Sequence, residues 1–75
     1  MDRISIQSTT LRSAGYDPAD HVMELEFCSG AIYRYYGVPE FIFRDLLAAD
    51  SKGRFFGDVI RDRFSCVLIA RAGAG

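Results

Sequence analysis

The side chains best suited to bind a ligand are cations and aromatic rings in the second half of the chain. Arg34 lies between two tyrosines, and four more cations follow within a short stretch, at Lys52, Arg54, Arg61 and Arg63. Arginine can bind a phosphate group through two hydrogen bonds at once, and an aromatic ring can stack on a nucleobase. These residues predict a surface for RNA or for the phosphate of a nucleotide.

The candidate site centres on the start of a predicted helix. Ser51 is a favourable N-terminal capping residue, and the segment Ser51–Arg54 would offer free backbone N–H groups and two cations to a phosphate. Tyr36 is the ring that we expect to be most exposed, and Tyr33, Tyr35 and Phe55 are alternative rings for stacking on a base. The predicted nucleic-acid-binding or phosphate-binding residues are Arg34, Tyr36, Ser51, Lys52, Arg54, Arg61 and Arg63.

The charge of the chain limits how strongly such a surface binds. The 75 residues include 9 Lys+Arg and 10 Asp+Glu, for a formal net charge of −1. Residues 1–29 carry −3 and residues 30–75 carry +2, so the charge is polarised along the chain. A strongly basic nucleic-acid binder is excluded, and any binding through phosphates should be modest and sensitive to salt.

The same residues also have a structural interpretation, and the sequence leaves it open. Tyr33 and Tyr35 would then belong to the hydrophobic core. Arg61 and Arg63 would be neutralised by pairing with the acidic residues Asp58 and Asp62.

Catalytic chemistry lacks the necessary partners. The nucleophiles are Ser51, Cys28 and Cys66, and His21 is the sole histidine. His21 and Cys28 lie at opposite ends of a predicted six-residue strand, which spans about 20 Å at ~3.3 Å per residue, so they cannot act together. The sequence therefore predicts a non-catalytic domain with no cofactor and no metal.

The two cysteines lack the spacing of a metal site and are too few for a disulfide scaffold. We expect two reduced thiols in a cytoplasmic protein, with a single disulfide as the alternative. The N-terminus lacks a basic segment followed by an apolar one, and no apolar run approaches the ~18–20 residues of a membrane span. These features favour a cytoplasmic location.

A β-hairpin is predicted over residues 22–37, because apolar and polar residues alternate in Val22–Phe27 and again from Ala31. A three-residue loop, with Gly30 in a left-handed conformation, separates the apolar and polar faces cleanly. A two-residue loop mixes them. The preferred register places three pairs opposite each other: Leu25 and Tyr33, Met23 and Tyr35, and Glu24 and Arg34.

The remaining segments predict the other elements of a small α+β domain. Residues 1–9 form an edge strand or a loose arm, residues 11–16 a strand, and residues 66–69 a short strand at the sheet edge or a contact to another copy. One helix starts at Val38-Pro39, and a second runs from Lys52 to about Phe64. The predicted fold is an antiparallel β-meander of three to four strands with two helices packed on one face. It occupies residues 1–69, and residues 70–75 form a disordered tail.

Several short motifs follow one another in order over residues 8–65. They are Gly15-Tyr16-Asp17, Leu25-Glu26-Phe27, Ser29-Gly30, Tyr33-Arg34-Tyr35, Val38-Pro39, Leu46, Ser51-Lys52-Gly53-Arg54-Phe55-Phe56, Ile60 and Phe64. As a set they resemble the KTSC family, a short domain found at the C-terminus of some lysyl-tRNA synthetases and as stand-alone bacterial and phage proteins. Gly57 departs from the pattern, where a polar residue is expected. The resemblance implies the fold and a suggested role in RNA binding.

A second functional class stays open beside RNA or nucleotide binding. The chain could act as a protein-interaction or self-association module through a sheet edge or through the apolar run Val67-Leu68-Ile69. A homodimer and a monomer are both compatible with so small a core.

Overall fold

The structure is a computed structural model that describes residues 1–71. Five antiparallel strands form one sheet in sequential order, with helical segments between the last two. The elements are β1 (Arg3–Ser5), β2 (Leu11–Asp17), β3 (Val22–Phe27), β4 (Ala31–Tyr36), α1 (Glu40–Ala48), α2 (Lys52–Phe55), a π-helical turn (Phe56–Ile60) and β5 (Cys66–Arg71). The α+β class and the meander are confirmed, but the predicted number of strands is too low.

The two edge strands account for the difference in strand number. β1 pairs with β2 over three residues, which is too short for a clear alternation in the sequence. β5 pairs with β4 from Tyr35↔Cys66 to Ala31↔Arg71. Ala70 and Arg71, assigned above to a tail, therefore belong to the last strand, while residues 72–75 of that tail lie outside the described part of the chain.

The β3–β4 hairpin has the predicted register. Leu25 pairs with Tyr33, Met23 with Tyr35 and Glu24 with Arg34. Gly30 has a φ of 98°, and its N–H donates to the Phe27 carbonyl at 2.9 Å. A positive φ favours glycine at this position, which explains why the three-residue loop forms here.

The second helix is shorter and less regular than the sequence predicts. Ser51 caps it as expected, since its hydroxyl accepts from the Arg54 N–H at 3.3 Å. After Phe55 the backbone widens into the π-helical turn, in which the Arg61 N–H donates to the Phe56 carbonyl at 2.9 Å. Gly57 lies in this turn and has low helix propensity, which is consistent with the loss of α-helical bonding before the predicted end at Phe64.

Both helical segments pack on one face of the sheet and close a single core. Its largest fully buried side chains come from β2, β3, the β4–α1 connection, α1 and the π-helical turn: Leu11, Met23, Leu25, Val38, Leu46 and Ile60. The Tyr16 ring stacks on Phe43 with centroids 5.3 Å apart, and its hydroxyl donates to the Val38 carbonyl. Burial is the main cause that raises the pKa of Tyr16, and the negative charges of Glu40 and Asp17 add to it. This arrangement leaves the other face of the sheet uncovered by helices.

Among residues 1–71, no helix is long and apolar enough to cross a membrane.

Candidate functional site

The structure places six of the seven predicted site residues in three different surroundings. Ser51, Lys52 and Arg54 line a polar groove at the start of α2, and Arg61 lines a larger groove beside β4. Arg34 and Tyr36 lie on the opposite face of the sheet, as their alternation with the buried Tyr35 requires. Arg63 lines neither groove. The predicted residues therefore do not form one site.

Arg34 is engaged in the sheet itself. Its guanidinium donates to the Glu24 carboxylate at 2.9 Å, and Arg3 approaches the other oxygen of Glu24 at 3.5 Å. The hydrogen bond to Glu24 raises the pKa of Arg34. Tyr36 is exposed, as predicted, but it lies beside this ion pair and far from the grooves on the helical face.

The polar groove has a volume of about 300 Å³. It is lined by Gln7, Ser8, Thr9, Thr10, Asp50, Ser51, Lys52, Gly53 and Arg54. Lys52 donates from Nζ to the Ala49 carbonyl at 2.8 Å, which holds its ammonium at the groove. The prediction that the helix start would offer free N–H groups is only partly right, because the Ser51 hydroxyl already accepts from the Arg54 N–H. The positive charge of this groove comes from the Lys52 and Arg54 side chains.

Gly53 brings α2 into close contact with the β1–β2 connection. A Cβ atom at this position would lie 2.5 Å from Thr10 Oγ1, well inside van der Waals contact. Glycine is therefore required for the backbone of α2 to approach Thr10 this closely. This contact forms one wall of the polar groove.

The larger groove, here called the aromatic groove, has a volume of about 840 Å³ and runs along β4. It is lined by Thr9, Thr10, Phe27, Cys28, Ser29, Ala31, Tyr33, Tyr35, Phe56, Arg61, Cys66 and Arg71. Its rings contact one another edge-on: Phe27 lies 5.7 Å from Tyr33 and 5.1 Å from Phe56, and Phe56 lies 5.9 Å from Tyr35. Such pairs hold the rings in fixed orientations.

The exposure of the two groove tyrosines differs. Tyr35 is 3% exposed and belongs to the core, whereas Tyr33 is partly exposed in the groove. Burial is the main cause that raises the pKa of Tyr35; Cys66 and Tyr33 add to it, and the positive charge of Arg61 opposes it. The Tyr35 hydroxyl therefore stays neutral at physiological pH, and Arg61 lines the same groove. The structural interpretation holds for Tyr35 but only in part for Tyr33.

The two grooves are adjacent, because Thr9 and Thr10 line both. Within residues 1–71 the ion pairs are Arg3–Glu24, Arg12–Glu26 and Arg34–Glu24. In the described part of the chain, the expected pairing of Arg61 and Arg63 with Asp58 and Asp62 is thus not formed. The groove cations Lys52, Arg54 and Arg61 are likewise outside any ion pair there, which leaves their charge available to an anion.

Sequence reasoning missed several groove residues. Thr9, Thr10 and Arg71 carry no motif, and their role appears only when the strands pair. The close approach of Gly53 to Thr10 depends on tertiary packing as well. Tyr33 was among the rings considered for stacking, and Phe27 could have been added, because the predicted register puts both on the helical face near the hairpin loop.

Within residues 1–71, the structure brings together no recognisable catalytic set. His21 precedes β3 and Cys28 follows it, so they lie at opposite ends of that strand. Both cysteines are free and exposed, so the disulfide alternative is not formed. Among residues 1–71, no group of three or more His, Cys, Asp or Glu residues is placed to hold a metal ion.

Comparison with known proteins gives consistent similarities. The family model of the KTSC domain matches residues 7–64. The fold is similar to the crystal structure of a KTSC domain protein from Yersinia pestis, with a TM-score of 0.89 and 39% identity over 92% of this chain and 97% of that chain. An uncharacterized protein of Stutzerimonas stutzeri is 51% identical over 81% of this chain and 86% of its own length. A lysine–tRNA ligase of Nostoc sp. is 34% identical over 77% of this chain and 10% of the ligase.

Proposed function

The chain belongs to the KTSC domain family, and we propose that it is a non-catalytic binding domain for RNA or nucleotide phosphate. The observation that carries the proposal is the adjacency of the two grooves, which share Thr9 and Thr10. Lys52 and Arg54 supply positive charge in the polar groove, and past Thr9 and Thr10 the surface becomes aromatic. A nucleotide offers the matching pair of groups, an anionic phosphate and a flat base.

The physical chemistry of each groove suits one part of that ligand. Charge-assisted hydrogen bonds from arginine or lysine hold phosphate oxygens, and stacking on an aromatic ring contributes about 1–3 kcal/mol per base. Neither contact requires a particular sequence of bases. A lysine–tRNA ligase carries a similar segment over a tenth of its length, which is consistent with RNA as the source of the nucleotide.

An amide-shift NMR titration of the labelled protein tests the proposal. The ligands are a tRNA stem-loop, a single-stranded oligonucleotide and a nucleotide mixture, each at low and moderate salt. We expect shifts at Thr9, Thr10, residues 51–54 and Arg61. If the domain contacts two phosphates of a single strand, the slope of the logarithm of the binding constant against the logarithm of the salt concentration should be about −1.4.

The pattern of shifts decides the outcome. Shifts confined to Arg34 and Tyr36 would move the site to the opposite face of the sheet. An absence of shifts with all three ligands at low salt would contradict nucleotide binding altogether. The ligand that shifts the groove residues at the lowest concentration shows whether a structured RNA, a single strand or a free nucleotide is preferred.

A second candidate function, self-association, is favoured by the exposed edge of β5. All six of its residues are exposed, and its centre is apolar, with Val67 47%, Leu68 45% and Ile69 39% exposed. The other edge, β1, has only three residues and carries Arg3, which discourages pairing. We propose as the alternative function that β5 pairs with β5 of a second copy.

Mass measurement by sedimentation tests this alternative. We expect the wild-type chain to sediment at twice 8.4 kDa, and Leu68→Lys to sediment as a monomer because a buried charge at the paired edge is unfavourable. Phe41→Lys is the matched control, since Phe41 is also exposed but lies on α1. A wild-type monomer at all concentrations, or equal effects of the two substitutions, would contradict pairing through β5.

A further inference from the structure

The aromatic groove is lined by two arginines. Arg71 stands opposite Ala31 in the β4–β5 pairing, at the hairpin-loop end of β4. Arg61 directly follows the π-helical turn, whose Phe56 ring packs on Tyr35. Tyr33 lines the same groove and is partly exposed. The groove thus combines two positive charges with an accessible aromatic ring.

The charges of this groove are not balanced by acids. None of its twelve lining residues is an aspartate or a glutamate, whereas the polar groove includes Asp50 beside Lys52 and Arg54. The aromatic groove therefore favours a ligand with two separate anionic groups. The partly exposed ring of Tyr33 favours a flat group attached to the same ligand.

One unit of a nucleic acid has this arrangement. A nucleoside inside a single strand carries a phosphate on each side, whereas a free mononucleotide carries a phosphate at one position only. We infer that the aromatic groove binds one internal nucleotide of a single RNA strand. Its base stacks on Tyr33, and its two flanking phosphates contact Arg61 and Arg71. The inference rests on the proposed function and names the unit that this groove recognises.

The strand then has a direct route out of the groove. Thr9 and Thr10 form the boundary with the polar groove, so the next phosphate along the strand reaches Lys52 and Arg54. The hydroxyls of Thr9, Thr10 and Ser29 are available to the ribose and to the edge of the base. None of these contacts selects a particular base, so the groove recognises the backbone and the aromatic face.

Calorimetric titration with three ligands tests this inference. The ligands are adenosine 5′-monophosphate, adenosine 3′,5′-bisphosphate and a single-stranded adenosine trinucleotide. We expect the bisphosphate to bind at least about tenfold more tightly than the monophosphate, and the trinucleotide more tightly still. Arg71→Gln should remove the advantage of the bisphosphate, because Arg71 is exposed and the substitution removes only the charge at one end.

The stacking contact has its own pair of variants. Tyr33→Ala should lower the affinity for all three ligands by about tenfold. Tyr33→Phe keeps the ring and should bind the ligands as tightly as the wild type does. If Tyr33→Ala fails to fold, the comparison between wild type and Arg71→Gln still tests the inference, because Arg71→Gln leaves the packing of the core intact.

The outcomes separate this inference from the proposed function. Equal affinities for the monophosphate and the bisphosphate would overturn the inference that the groove binds two phosphates. A tighter binding of the bisphosphate that survives Arg71→Gln would overturn it as well. In both cases, binding of the trinucleotide would still support the proposed function. Failure of all three ligands to bind at low salt would overturn both.

Discussion

Replacing both Arg54 and Arg61 by glutamate is expected to reduce the affinity for a single-stranded oligonucleotide by at least about 100-fold. Each arginine serves a different groove, and a hydrogen bond to a charged group is worth about 1.5–3 kcal/mol, so two lost contacts together exceed 3 kcal/mol. The new carboxylates also repel phosphate. Both side chains are exposed, so the free energy of unfolding should change little.

The matched control is Arg44→Glu with Arg63→Glu. This variant has the same net charge as the test variant, and both of its arginines are exposed but line neither groove. We expect less than about a fivefold loss of affinity, from the altered long-range field alone. Equal losses in the two double variants would show that net charge, and not the grooves, governs binding. Unchanged affinity in Arg54→Glu with Arg61→Glu would contradict the proposed function directly.

The β3–β4 hairpin was predictable to the residue pair because its sequence contains two independent constraints. The alternation of Met23, Leu25 and Phe27 fixes which side chains face the core, and only one loop length matches it to Tyr33 and Tyr35. Gly30 then supplies the backbone conformation that this loop requires. Where a face pattern and a turn residue agree, the register follows from local information.

The edge strands carried much weaker information. β1 has three residues, and β5 is exposed throughout, so neither shows the alternation of a half-buried strand. The family match to residues 7–64 likewise includes neither strand, since it begins after β1 and ends before β5. Arg71 could not be assigned to the aromatic groove from the sequence, because its position depends on β5 reaching Ala31 across the sheet.

The candidate site was predictable in its residue types and only partly in its geometry. Lys52 and Arg54 line the polar groove together, and Arg61 lines the adjacent aromatic groove. Arg34 does not join them, although its orientation away from the apolar face already followed from the predicted register. The conflict between that register and a shared site with Lys52 was therefore visible in the sequence.

Leu25→Ala is expected to lower the free energy of unfolding by about 2–5 kcal/mol, the largest effect of a single substitution considered for this fold. Leu25 is fully buried in β3, between Ala14 and Tyr33 on the neighbouring strands. Removing its side chain leaves a cavity beneath the helices. A 75-residue domain buries only about 60% of its unfolded surface, so its stability lies near the lower end of the usual 5–15 kcal/mol.

Urea denaturation followed by circular dichroism measures this loss, with Leu68→Ala as the control that makes the same chemical change on β5. Leu68 is 45% exposed in the single chain, so its replacement should cost less than about 0.5 kcal/mol. A loss for Leu68→Ala as large as that for Leu25→Ala would mean that the β5 edge is buried in solution. That result, together with an unfolding midpoint that rises with protein concentration, would favour a dimer paired through β5, because only association links stability to concentration.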